Sequence, residues 1–146
     1  MKNLEMLMDV SNGKIISGFP GVGKSHFCQT HKFVSDSDSS KFPKDNFPAN
    51  YIHHILNIKD NYQYVLVSSH AAVREALVDA EMFYTLVYPE RGLKAEYLDR
   101  YVRRGSPEAF IDMMNKNWGL FIDGCETQSG CKHIVLKRDQ FLVDVL

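Results

Sequence analysis

Ile15-Ile16-Ser17-Gly18-Phe19-Pro20-Gly21-Val22-Gly23-Lys24-Ser25 joins a short apolar run to a glycine-rich turn that closes on Lys-Ser. From Gly18 onward it fills every fixed position of G-x-x-x-x-G-K-[ST], the phosphate-binding loop between a strand and a helix. The chemistry explains the spacing. Successive backbone N–H groups turn inward to cradle phosphate oxygens, and Gly18, Gly21 and Gly23 allow conformations and close approaches that a Cβ would block. Lys24 can reach the β- and γ-phosphates. The Ser25 hydroxyl can ligate Mg²⁺ where the next helix begins, its positive dipole end facing the nucleotide. The expected nucleotide contacts are Gly18, Gly21, Val22, Gly23, Lys24, Ser25 and His26, with a nucleoside triphosphate as ligand.

The 146 residues suffice for one ordinary domain, residues 1–146, and are too few for two. Apolar residues make up 45% and charged residues 24%, the balance of a soluble globular protein. A net charge of −1 gives no global pull towards nucleic acid or an anionic membrane. Cys28, Cys125 and Cys131 form no metal-ligand or redox spacing, which reads as reduced thiols in a cytoplasmic protein. No apolar run approaches the length of a membrane span, and the N-terminus carries acidic residues where a signal peptide would want bases. Met1 to Gly13 reads as a short lead-in helix or strand.

Outward from the loop, short apolar strands alternate with longer amphipathic stretches, the pattern of βαβ units on a parallel sheet. Strands are expected at Lys14–Gly18, Lys32–Ser35, Tyr64–Ser68, Phe83–Tyr88 and His133–Lys137. Helices are expected from Lys24 to about His31, Ala49 to Asn61, Ala71 to Ala80 and Leu93 to Arg104. Tyr51, Ile52, Ile55 and Leu56 supply the apolar stripe of the second of these. A further helix opens at Ser106-Pro107-Glu108, with Ser106 as N-cap and Pro107 as the first helical residue. Phe110, Met113, Met114, Asn117 and Phe121 track along it, and Trp118 reads as core or as support for the segment before it. Phe141–Leu146 is one more apolar stretch. The expectation is a three-layer α/β domain: a five-stranded, mainly parallel sheet with helices on both faces. In such sheets ligands bind at the carboxyl ends of the strands. Three polar clusters fall there: the glycine-rich loop, the Asp36/Asp38 pair and Ser68-Ser69-His70.

What surrounds the loop narrows the chemistry. No N/T-K-x-D element is present to read guanine, and the third strand ends in Ser68-Ser69-His70 rather than a carboxylate. The carboxylates follow the second strand instead, in Asp36-Ser37-Asp38-Ser39-Ser40.

This arrangement resembles the nucleoside-monophosphate-kinase-like branch of P-loop phosphotransferases, and shikimate kinase in particular. The runs S-G-F-P-G-V-G-K-S, D-S-D-S-S, F-P-A-N-Y-I, V-S-S-H and L-V-Y-P look like a group of small P-loop proteins common in phages and prophages. Those proteins are described as ATP-binding proteins or nucleotide kinases. The resemblance implies the P-loop NTPase fold and an ATP-dependent kinase that needs Mg²⁺. It implies that Asp36 acts on the metal through bound water and that Asp38 aligns the phosphoryl acceptor. The implied acceptor is a small molecule, foremost a nucleoside or deoxynucleoside monophosphate. The D-G-x-P-R of such kinases after the third strand is replaced here around Ser69-His70. His70 could orient acceptor or γ-phosphate, and Arg74 could hold a substrate phosphate. The same resemblance makes residues 90–105 a short helical lid whose Arg100, Arg103 or Arg104 neutralises the transferring phosphoryl group. The alternative for that helix is a solvated surface laced by Glu96–Arg100 and Asp99–Arg103 pairs. Rival functions are a kinase of a hydroxyl acceptor, such as a hydroxymethylated base in phage DNA, and a nucleotide-binding switch without transfer activity.

Overall fold

The computed structural model describes residues 15–37 and 41–146. The lead-in segment, Lys14 and Asp38 therefore lie outside the described residues. Five strands form one sheet: β1 (Ile15–Gly18), β2 (Val34–Asp36), β3 (Tyr64–Ser68), β4 (Thr85–Pro89) and β5 (Lys132–Leu136). Their order is β2-β3-β1-β4-β5, and every neighbouring pair is parallel. Parallel strands are covered on both faces, so their sequences are continuously apolar. Ile15, Ile16, Val65, Leu66, Val67, Leu86 and Val87 are all buried.

Among the described residues, five α-helices lie between the strands, α1 (Lys24–Thr30), α2 (Ala49–Ile58), α3 (Ala71–Asp79), α4 (Lys94–Arg103) and α5 (Glu108–Thr127), and α6 (Leu142–Val145) follows β5. Crossovers between parallel strands are right-handed, so the direction of travel along the sheet decides the face each helix covers. Only β1→β2 moves towards the β2 edge, whereas β2→β3, β3→β4 and β4→β5 move the other way. That puts α1 on one face, with α6 packed beside it, and α2 and α3, packed together, on the other. β1 and β4 are neighbours from which the chain leaves in opposite directions, and a crevice opens at such a point beyond the strand ends. The glycine-rich loop sits there.

The structure moves several expected boundaries, each for a local reason. β2 starts at Val34 rather than Lys32, because Phe33 takes a left-handed φ of 59° and its carbonyl accepts from Gln63 N. β4 runs Thr85–Pro89 instead of Phe83–Tyr88, and its proline lies at the strand end, where no further donor is needed. Pro107, not Ser106, is the cap of α5, and the Ser106 hydroxyl instead accepts from Arg104 Nε at 2.7 Å. The buried stripe of α5 is Met114, Trp118, Ile122 and Cys125, while Met113 is exposed. In α2, Tyr51 and Ile55 are buried and Leu56 faces out.

Trp118 joins the layers. Its ring packs edge-on against Phe19 at 5.4 Å and tilts against Tyr97 at 5.7 Å, and its indole N–H donates to Arg91 O at 2.9 Å. Trp118→Ala removes that filling and strands a carbonyl. It should cost about 3–5 kcal/mol. Urea unfolding followed by circular dichroism should show a lower midpoint at unchanged slope.

Candidate functional site

The loop from Gly18 to Ser25 is shaped by what holds it from outside. Three consecutive carbonyls are each bound by a different residue, two from α4 and one from α6. Tyr101 Oη donates to Pro20 O at 2.8 Å, Arg100 Nη1 to Gly21 O at 2.8 Å, and Leu142 N to Val22 O at 2.9 Å. In a trans peptide the following N–H points opposite to the carbonyl. Holding these carbonyls therefore fixes the three peptide planes that follow Pro20, Gly21 and Val22, and the Val22 amide donates to Phe19 O at 3.2 Å. Gly21 (φ 92°) and Gly23 (φ 95°) need the left-handed region. A Cβ would also collide there, at 3.0 Å from Tyr101 Cε1 for Gly21 and 3.1 Å from Phe141 Cδ1 for Gly23.

A cleft of about 540 Å³ opens on the inner side, lined by the loop, the α4 arginines and Phe141. Lys24 folds over the loop, its Nζ donating to Gly18 O at 2.5 Å. Ser25 Oγ donates to Asp36 Oδ2 at 3.3 Å, so the two expected metal ligands meet although 11 residues separate them. The parallel register brings this about, since β1 and β2 both end at the same edge, on either side of β3. These are hard oxygen donors, as Mg²⁺ takes beside waters and phosphate oxygens. His26 is exposed on α1 and lines the cleft.

Arg100, Arg103 and Arg104 line the same cleft. The two pairs expected of a solvated helix are present as well: Glu96–Arg100 at 2.9 Å and Asp99–Arg103 at 2.7 Å. The helix is not merely solvated, because Tyr97 and Tyr101 are wholly buried on its inner face. Burial pushes the Tyr97 hydroxyl up to about 12.

On the other side of the loop, the Tyr51 hydroxyl donates to Ser37 O and accepts from Ser68 N, tying the residue after β2 to the end of β3. His70 precedes α3 with its N–H on Ser68 Oγ at 3.2 Å. Partial burial, then the charges of Lys24 and Arg74, hold its pKa below the usual histidine value. The structure gives Arg74 a task other than the expected phosphate contact. It is 6% exposed, with Nε on Ser69 O at 2.9 Å and Nη1 on Gly124 O at 2.7 Å and Gln128 Oε1 at 2.9 Å. It caps the end of α5 and ties that helix to α3.

Sequence reasoning missed Tyr97, Tyr101, Tyr51 and Phe141. The signal for the first two was present: tyrosines at i and i+4 in an otherwise charged helix make one narrow apolar face. Tyr51 was read only as core, and Phe141 carries no mark of its destination 118 residues back at Gly23. Among the described residues no cluster of three or more His, Cys, Asp or Glu forms a metal site, and no helix is long and apolar enough to cross a membrane. No protein-family model, curated protein or solved structure matches the chain.

Proposed function

We propose that this chain is a Mg²⁺-dependent P-loop phosphotransferase that binds ATP at Gly18–Ser25 and passes its γ-phosphoryl group to a small acceptor. The observation that carries the reading is the meeting of Ser25 and Asp36 at 3.3 Å beside a loop whose carbonyls are held outward. A bound Mg²⁺ would supply charge neutralisation at the phosphates, held by Ser25 and, directly or through water, by Asp36. Lys24 leaves Gly18 O for the β- and γ-oxygens. Arg103 and Arg104 reach across the cleft to charge that spreads over the phosphoryl oxygens in the transition state. Asp38, outside the described residues, keeps its expected role of aligning the acceptor.

The resemblance to nucleotide kinases makes a nucleoside or deoxynucleoside monophosphate the first acceptor, with the enzyme working in the cytoplasm, phage nucleotide metabolism as its setting, and no membrane involved. Arg74 favours a second reading. Its engagement with Ser69, Gly124 and Gln128 withdraws the cation expected to hold an acceptor phosphate. A hydroxyl acceptor beside Asp36, Ser68 and a neutral His70 needs no such cation. ADP release across nucleoside monophosphates, nucleosides and hydroxymethylated DNA separates the two, and ATP binding without release to any acceptor would leave the switch protein.

Lys24→Ala should abolish turnover with the circular dichroism spectrum unchanged, each lost charge-assisted contact being worth about 1.5–3 kcal/mol. Parental turnover would reject the phosphate site. Replacing Arg103 and Arg104 singly by alanine should lower kcat about a hundredfold or more in at least one, with the ATP Kd changed less than about tenfold. Near-parental kinetics in both would reject the arginine assignment. Asp36→Asn should raise the Mg²⁺ concentration for half-maximal turnover, checked by titration at fixed ATP.

His70 sets a pH dependence. Its folded pKa lies below the ordinary 6.5, so the unfolded chain binds the proton more readily. Stability should fall as pH drops through 6.5 and the loss should level off below the folded value. Urea midpoints between about pH 7.5 and 5.5 should flatten in His70→Gln. Tripolyphosphate bound at Lys24 should raise the His70 pKa in NMR titrations, because the opposing charge is neutralised.

A further inference from the structure

Arg100 is held differently from the arginines that follow it. Its side chain is 12% exposed against 79% for Arg103. The guanidinium lies between two rings, 4.3 Å from the Tyr97 centroid and 3.9 Å from that of Phe141. Nη1 donates to Gly21 O at 2.8 Å, and Nη2 to Glu96 Oε2 at 2.9 Å and Gln140 O at 3.1 Å. Glu96 Oε2 in turn accepts from Asp139 N at 3.2 Å. One ion pair thus fastens the glycine-rich loop, α4 and the turn between β5 and α6 to each other.

We propose that Arg100 is a positioning residue that sets the phosphate cradle before any ligand arrives, rather than a ligand of the transferring group. The inference rests on the reading of Gly18–Ser25 as that cradle. To reach a phosphoryl group Arg100 would have to leave both rings, the Gly21 and Gln140 carbonyls and Glu96. Kept in place, it fixes the peptide plane between Gly21 and Val22, and its hold on the Gln140 carbonyl seats Leu142 N against Val22 O. The planar fork suits this task because separate nitrogens serve separate segments; a lysine carries all its donors on one nitrogen and has no such fork.

The test follows amide hydrogen exchange by NMR in the ligand-free protein, together with ADP affinity and steady-state kinetics. In Arg100→Ala the amides of Val22 and Leu142 should exchange about tenfold faster or more, while those of Val65, Leu66 and Val67 in β3 keep parental rates. ADP should bind about tenfold more weakly, with kcat at saturating ATP falling less than about threefold. Parental exchange at Val22 and Leu142, or a collapse of kcat with ADP affinity retained, overturns the proposal. Should the alanine protein fail to fold, Arg100→Lys decides: it keeps a cation between the rings but loses the fork. The same faster exchange is expected, and parental exchange overturns the proposal. If the parent binds no ADP, the phosphotransferase reading fails, whereas exchange still reports whether Arg100 sets the loop.

Discussion

The site depends on the outward pull on the Pro20, Gly21 and Val22 carbonyls. A chain with two left-handed glycines has many ways to turn, and a glycine-rich segment left alone would sample them. Three donors, two from α4 and one from α6, select one. The peptide planes are then fixed before a ligand enters, so a ligand that uses this shape need not bear the ordering entropy of the loop. Preorganisation of this kind separates a shaped loop from a flexible turn of the same composition.

Behind those donors stands a stack of aromatic rings. Tyr101 reaches Pro20 because α4 is pressed to the loop by Tyr97, and Tyr97 is backed by Trp118 and Phe19. Phe19 belongs to the loop itself, so the core and the cradle share a residue. Substitutions deep in α5 therefore reach the site through packing, without touching the cleft. The hydroxyl of Tyr51 likewise holds Ser37, the residue after β2.

The fold was largely legible because its signals are local and periodic. Buried parallel strands announced themselves as apolar runs, and β3 at Tyr64–Ser68 coincides with its expected span. Errors gathered where a tertiary contact overrode local preference: a left-handed Phe33 delayed β2, and Ser106 gave its hydroxyl to Arg104 instead of capping α5. The loop and the Ser25–Asp36 approach were readable from a motif and a topology. Arg74 was not: a buried guanidinium that caps a helix end looks, in sequence, like one waiting for a phosphate. Nor could spacing separate Arg100 from Arg103, since their difference lies in Phe141 and Gln140, which arrive from the far end of the chain.

That long reach has a bearing on how the protein comes into being. The glycine-rich loop is encoded at residues 18–25, yet its fasteners lie 79 and 81 positions downstream, and the last of them is Leu142. A nascent chain emerging from the ribosome carries the motif long before it carries the shape. Contacts of such sequence separation also slow folding, because their loop entropy must be met before they contribute. The final shape of the glycine-rich loop is therefore a late event of biogenesis, acquired only once residues as far on as Leu142 have been made and have closed on it.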